Sequence, residues 1–364
     1  MNGESTGSKS GALNTRLARP EDLESVSRLL PDLAGPHFGE RFPGKTSYEF
    51  CRWKYTGNPA GDAAVGVALD GDRVVSLVAG TPKRVRVAGE VVLAFELGDF
   101  ITANTYRNRG LFSKLINLVC DNARQRGAAF AYVRPNDLSF PILVSRLSFI
   151  EPKKMYERRY VVPSAAIERK FGIPSVIPRA LGTDWILRRM VVRDVGTSVR
   201  VEPVTRFDDG VSRLWTRLQD CYRFSVVRDS HYLNWRYMDC PTPYSVWAAY
   251  RDKELLGYLA AFVGSAQPLG MVLDLFTHPE DEDAASALVR VAIEALEQRG
   301  VRAIYVWTLQ DGPETAAVRS LARACFLIRK QPLHIAIRFL DDALSIRGLP
   351  SSDWQLTVGD FDGS

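Results

Sequence analysis

The 364-residue sequence has no apolar run approaching the roughly 18–20 residues that a membrane-spanning helix needs. Its first twenty residues are polar and lack the apolar stretch of a secretory signal, so a cytoplasmic protein with a short disordered lead (1–14) and no membrane partner is expected. Cysteine is scarce. Cys51, Cys120, Cys221, Cys240 and Cys325 are odd in number, widely scattered and without C-x-x-C spacing, which argues against a disulfide framework or a zinc site. Reduced, mostly buried thiols and no metal are expected. Neither sign of charge dominates: 47 Lys and Arg against 42 Asp and Glu give +5, a surplus that allows an anionic ligand and is too small to imply nucleic acid by itself. What remains, 46% hydrophobic and 24% charged, is ordinary globular composition and excludes disordered, collagen-like and fibrous chains. The length suits two domains of ~150 residues.

An internal repeat organises that length. Phe50-Cys-Arg-Trp-Lys-Tyr-Thr-Gly-Asn-Pro59 reappears as Tyr232-Leu-Asn-Trp-Arg-Tyr-Met-Asp-Cys-Pro241, pairing Trp53 with Trp235, Lys54 with Arg236, Tyr55 with Tyr237 and Pro59 with Pro241. Without a gap, Val65–Leu69 and Asp70-Gly71 overlay Trp247–Arg251 and Asp252-Lys253. Gly98-Asp99-Phe100-Ile101-Thr102 then matches Leu273-Asp274-Leu275-Phe276-Thr277, and Arg126-Gly127 through Tyr132 matches Arg299-Gly300 through Tyr305.

The element order supports an α+β class. Pro20-Glu-Asp-Leu reads as a helix start, and an aromatic helix follows at Tyr48–Tyr55. Alternating runs near 64–69, 73–86 and 90–102, broken at Asp70-Gly71 and Ala88-Gly89, read as antiparallel hairpins. Leu111, Phe112, Leu115, Leu118, Val119 and Ala123 recur at helical spacing up to a stop at Gly127. A strand at 129–134, a helix at 138–147 and a strand at 153–162 complete a mixed, mostly antiparallel sheet flanked by helices. The expected boundaries are a first domain at 15–162, a connector at 163–199, a second domain at 200–342 and a loosely ordered polar tail at 343–364. The connector carries Arg169, Lys170, Arg179, Arg188, Arg189 and Arg193 against Glu168, Asp184 and Asp194. A solvated face or packing between the halves is the expectation, ahead of a basic stripe for membrane or nucleic acid.

Chemistry concentrates between residues 96 and 139. Asp99 through Leu115 runs from a strand end, through a loop holding Arg107, Asn108, Arg109 and Gly110, into the amphipathic helix. Such a loop turns successive backbone N–H groups and a helix N-terminus toward one point, an anion site that a pyrophosphate would fit. Here the sequence resembles the GNAT superfamily of acyl-CoA-dependent N-acetyltransferases, whose signature is Gln/Arg-x-x-Gly-x-Gly/Ala. Arg107 and Gly110 match, and Phe112 stands in the third position, as bulky residues do in Eis-type members, which also carry tandem modules. Leu147-Ser148-Phe149 resembles the family's Leu-Gly-Phe. The resemblance covers about 20–162 and 200–340 and implies two tandem GNAT domains.

That resemblance implies acetyl-CoA, or another short acyl-CoA, as cosubstrate, bound by Phe100, Ile101, Thr102, Arg107, Asn108, Arg109, Gly110, Leu111, Phe112, Asn136 and Ser139. The backbone near Phe100, Ile101 and Thr102 would pair with the pantetheine amides like an added strand. Glu96, eleven residues before Arg107, has the spacing of the catalytic Glu in histone-type members and is the expected base, with Asp99 as a second carboxylate. Three residues apart on a regular strand, the two would point to opposite faces, so that only one faces the cleft. Asp99 has a counterpart in Asp274, which suggests a structural role. The position of the family's acidic Tyr holds Val144, leaving water, Ser139, Ser145 or the other half as proton source. His37 and Tyr48 are candidate acceptor-pocket residues, while Trp53 and Tyr55, being repeated, are expected in the core.

The second copy has Pro279-Glu-Asp-Glu-Asp283 where the first has its basic loop, and Met271 where the first has Glu96. Acids there would repel a pyrophosphate, so the first copy is the expected catalyst. The resulting expectation is acetyl transfer to a primary amine of a small molecule, an amino sugar, aminoglycoside or amino acid, by direct attack in a ternary complex, in a monomer or homodimer. A Fem-type aminoacyl-tRNA-dependent transferase and a non-catalytic GNAT-fold binding module remain the alternatives.

Overall fold

The computed structural model describes residues 13–33, 47–186, 198–264, 269–310, 314–341 and 354–362. Chain order begins with β1 (Asn14–Leu17), α1 (Leu23–Leu33) and α2 (Tyr48–Thr56), followed by the hairpins of β2 (Ala64–Asp70), β3 (Arg73–Val87) and β4 (Glu90–Thr102). Their turns fall where the sequence places them, with Gly71 at φ 60° and Ala88-Gly89 at 49° and 102°. Next come α3 (Leu111–Gln125), β5 (Phe130–Val133), α4 (Phe140–Arg146) and β6 (Ile150–Val161), then α5 (Pro163–Phe171) and α6 (Val176–Ala180) in the connector. The second repeat follows the same plan: β7 (Arg200–Pro203), α7 (Asp209–Leu218), β8 (Phe224–Val226), α8 (Ser230–Leu233) continued by a wider π turn (Asn234–Met238), β9 (Ser245–Arg251), β10 (Glu254–Val263), β11 (Leu269–Thr277), α9 (Glu282–Gln298), β12 (Ala303–Leu309), α10 (Ala316–Arg323) and β13 (Leu327–Phe339). A two-residue strand, β14 (Trp354–Gln355), and a 3-10 turn (Val358–Asp360) close the described chain.

One sheet carries both repeats, in the order β1-β2-β3-β4-β5-β13-β6-β12-β11-β10-β9-β7. Within this path β4–β5 and β11–β12 are parallel and the other pairs antiparallel. The repeats exchange their last strands: β13 of the second lies beside β5 of the first, and β6 of the first beside β12 of the second. The two exchanged strands pair with each other in the middle, so no open sheet edge is left between the repeats.

Apolar burial follows the helical and strand periodicities. Leu111, Leu115, Val119 and Ala123 of α3 pack on one face of the first half-sheet, and Leu288, Ala292 and Leu296 of α9 do the same in the second. The opposite faces share a single core, with Phe50, Trp53, Phe130 and Tyr132 meeting Trp215, Phe224, Trp235 and Phe276. Cys51, Cys120 and Cys240 are buried and Cys221 and Cys325 exposed, all as free thiols.

The tail departs from the sequence expectation. Trp354 is 1% exposed and stacks on Phe224 with ring centroids 4.1 Å apart, and β14 pairs with β8, which in turn pairs with β3. Leu356, Val358 and Phe361 are buried beside it. A count of polar residues suggested a loose end, but the apolar residues are spaced to fill the central core, and Asp360 and Asp362 enter with them to meet buried cations.

Candidate active site

The parallel ladder between β4 and β5 ends at Glu96 opposite Tyr132. Beyond it β5 stops at Val133, while β4 continues to Thr102 against β3 alone. The edge of β4 from Leu97 onward therefore faces a gap, and the gap opens into a cleft of about 580 Å³. Phe100, Thr102, the whole segment from Arg107 to Phe112, Asn136 and Ser139 line this one cleft. Ile101 does not: its side chain turns to the other face of the sheet, among the residues packed under α1 and α2.

The cleft's charge comes from the start of α3. Gly110 is the cap residue at φ 73°, a left-handed conformation that favours glycine, and no side chain caps the helix. With no acid in the first turn either, the first N–H groups of α3 have no intrahelical partner and the positive end of the helix is not neutralised. Arg107 reaches only the carbonyl of Thr102, and Arg109 that of Thr105, with its guanidinium 5.1 Å above the Tyr106 ring. Neither meets a carboxylate among the described residues. Across the cleft, Asn136 Oδ1 accepts from the N–H groups of Leu138 and Ser139 and from Ser139 Oγ, which sets the entry into α4.

The two carboxylates correct a sequence expectation. Glu96 and Asp99 do not point to opposite faces, because Asp99 and Phe100 together stand against the single residue Val78: Leu77 is opposite Ile101 while Ala79 is opposite Gly98. This bulge, with Asp99 at φ 53°, shifts the alternation by one residue and returns Asp99 to the Glu96 side. Lys54 from α2 joins them. Its Nζ lies 2.6 Å from Asp99, and Tyr55 also donates to Asp99 at 2.7 Å. The Glu96 carboxylate and the Lys54 ammonium converge over Gly98, where an added Cβ would stand 3.6 and 3.8 Å from them.

The tail completes the cluster. Thr81 on β3 donates to Asp362 at 2.7 Å and stands 3.2 Å from Glu96 Oε2, while Lys83 Nζ lies 2.6 Å from Asp362. Arg236, the repeat partner of Lys54, approaches Asp362 at 3.7 Å. Burial, and then the Asp362 charge, push the Glu96 pKa up to about 7 against the opposing pull of Lys54 and Lys83. Burial would also raise Asp362, but Lys83, Arg236 and Lys54 outweigh it and hold that carboxyl below its ordinary value. For Lys83 burial prevails, and its pKa is lowered. One hydroxyl proton on Thr81 cannot serve two carboxylates at once, so a proton on Glu96 relieves the site near neutrality.

Lys54, Thr81, Lys83 and Asp362 were not singled out as site residues from the sequence. A Lys and an Arg aligned between two aromatic positions shared by the repeats, Trp53/Trp235 and Tyr55/Tyr237, are the available signal for Lys54; nothing local announces Asp362. Tyr48 is 46% exposed and does not line the cleft, and His37 lies outside the described residues. Val144, in place of the family Tyr, is exposed.

In the second repeat Met271 lies opposite Tyr305 as Glu96 lies opposite Tyr132. The start of α9 is closed by its own acids: Asp281 caps Ala284 N–H, and Glu282 pairs with Arg319 and Arg323. The gap beyond the β11–β12 ladder is lined by Trp354–Thr357 of the tail. The Asp274 counterpart of Asp99 keeps its tyrosine, accepting from Tyr237 at 3.4 Å and from Tyr258 at 2.6 Å.

Two family models match the chain, the acetyltransferase (GNAT) domain over residues 16–143 and the acetyltransferase (GNAT) family over 211–325. The chain belongs to the GNAT superfamily and carries two GNAT domains. It is an acyltransferase, an acyl-CoA-dependent N-acyltransferase of that family. Among solved structures, a probable N-acyltransferase from Enterococcus faecalis is 14% identical with a TM-score of 0.60, over 91% of this chain and 73% of that one. A GCN5-related N-acetyltransferase from Anabaena variabilis is 12% identical with a TM-score of 0.61 and the same coverage. The N-myristoyltransferase of Saccharomyces cerevisiae with bound myristoyl-CoA is 12% identical with a TM-score of 0.61, over 98% of this chain and 92% of that one. At these identities the likeness is one of fold. None of the curated proteins matches the sequence. No helix among the described residues is long and apolar enough to cross a membrane, and no group of His, Cys, Asp and Glu among them could hold a metal ion.

Proposed function

We propose that the first repeat is the catalyst and transfers acetyl, or another short acyl group, from CoA to a primary amine of a small molecule by direct attack within a ternary complex. The observation that carries this reading is a buried carboxylate with a near-neutral pKa, Glu96, at the last pair of the β4–β5 ladder; it does not itself line the cleft, which begins beyond it on β4 at Phe100 and holds an unneutralised helix start and two arginines. When bound, acyl-CoA supplies the thioester. Arg107, Arg109 and the first N–H groups of α3 receive the pyrophosphate, and the exposed edge of β4 at Phe100–Thr102 pairs with the pantetheine arm.

Glu96 removes the proton from the acceptor ammonium, directly or through one water. A pKa near 7 suits that task, since about half of the base is ionised at neutral pH and it still binds a proton firmly. Lys54 and Asp99 hold the strand bulge and the charge balance around it. The second repeat, with acids closing its helix start and its own tail along its gap, supports the site without a second cofactor.

Calorimetric titration with acetyl-CoA tests the reading. One micromolar-range site, weakened at least tenfold in Arg107→Ala/Gly110→Asp, is expected. Absence of binding by the unmodified protein would remove the acetyltransferase proposal.

A further inference from the structure

In the described part of the connector, Ser164 and Ala165 of α5 are buried, whereas residues 171–186 present a largely apolar surface. Phe171, Val176, Ile177, Leu181, Trp185 and Ile186 are between 47% and 73% exposed, all within sixteen residues. Every exposed charge from 169 to 186 is positive: Arg169, Lys170 and Arg179. The one carboxylate of this stretch, Asp184, is turned inward, accepting from Ser164 N at 2.6 Å and Ser164 Oγ at 2.7 Å. It meets Arg179 only at 3.6 Å.

We infer that this connector surface docks onto an anionic lipid surface. Large apolar side chains including a Trp and a Phe, borne on the short helices α5 and α6 and the turn after them, would enter the interfacial zone of a bilayer. The cations beside them have long aliphatic stems that let the charges reach lipid phosphates while the stems lie along apolar neighbours. Lys170 Nζ lies 5.2 Å from the Phe171 ring centroid, which places a cation directly beside an exposed aromatic. The sign of the charge decides the occupant: an apolar surface bordered by Arg169, Lys170 and Arg179, with Asp184 turned inward and the neighbouring Glu168 held by Arg302 at 2.7 Å, complements a negatively charged interface. This revises the expectation of no membrane partner without invoking a spanning segment.

Co-sedimentation of the full chain with vesicles of equimolar phosphatidylglycerol and phosphatidylcholine tests it, alongside vesicles of phosphatidylcholine alone. The unmodified protein is expected to partition onto the anionic vesicles. Val176→Asp/Leu181→Asp, at two of the most exposed positions, should lose that partitioning at least tenfold while keeping the unmodified melting temperature. Arg169→Gln/Lys170→Gln should weaken it by about fivefold per cation removed. Failure of the unmodified protein to bind anionic vesicles, or equal binding to neutral ones, would overturn the proposal. So would concentration-dependent self-association in sedimentation velocity that Val176→Asp/Leu181→Asp abolishes, which would make a second copy the occupant.

Discussion

Trp53 and Trp235, equivalent positions of the two repeats, stack on each other with centroids 4.8 Å apart and planes 17° apart. Each indole N–H donates to the other's backbone carbonyl, Trp53 to Trp235 at 2.7 Å and Trp235 to Trp53 at 3.1 Å. Reciprocal bonds between equivalent residues are what a two-fold relation produces, so the duplicated segment is also the hinge pin of the pseudosymmetry. Truncating either to Ala removes a large buried aromatic and one of the two reciprocal hydrogen bonds, at a cost of about 3–5 kcal/mol. Chemical denaturation of both single variants and the double variant should show a coupling of about 1 kcal/mol; strict additivity would deny the direct interaction.

Glu96→Gln is expected to lower turnover at neutral pH about 100-fold or more while leaving acyl-CoA affinity nearly unchanged. Turnover should rise as pH increases through about 7 in the unmodified protein, because Glu96 accepts a proton only when ionised. That limb should vanish in the variant. Steady-state kinetics against pH, with calorimetry of acyl-CoA, separates the two effects, and an unchanged turnover would unseat Glu96 as base.

The same group makes a stability prediction of opposite sense to an ordinary ion-paired carboxylate. Its folded pKa lies above the ordinary 4.5, so between about 4.5 and 7 the folded state holds more protons than the unfolded one. Its contribution to stability therefore falls as pH rises through that window. Thermal melts should show Glu96→Gln gaining on the unmodified protein between about pH 5 and pH 8, and no relative change would mean that the folded state does not perturb this carboxyl.

Lys54→Met tests the charge balance. Lys54 pulls the Glu96 pKa down, so its removal should move the activity limb to higher pH. It should also cost on the order of 3 kcal/mol, since Asp99 would lose its buried cation. A limb that stays in place would show that Lys54 is only structural.

Deleting residues 354–364 removes the Trp354 stack and the carboxylates facing Lys83 and Arg228. The melting temperature should fall by more than about 10 °C, whereas a loose tail would leave it unchanged.

Much of this protein is legible in its sequence for a local reason. Turn residues such as Asp70-Gly71, the helical spacing from Leu111 to Ala123 and the matched segments around Trp53 and Trp235 encode the elements and their duplication without reference to distant contacts. The cleft beside β4 is legible too, because most of its lining comes from the contiguous run from Phe100 to Phe112. Tertiary structure decided the rest. Which strand completes which half-sheet depends on β6 and β13 meeting across 150–339. The common face of Glu96 and Asp99 depends on one extra residue opposite Val78, which period-two reasoning does not see. Asp362 reaches Lys83 from 279 residues away, because a short polar-looking tail carries enough apolar surface to be driven into a core that both repeats share. The sequence determined the repeated unit and the basic loop before α3; only the tertiary structure gathered Lys54, Lys83 and Asp99 of the first repeat and Asp362 of the tail around Glu96.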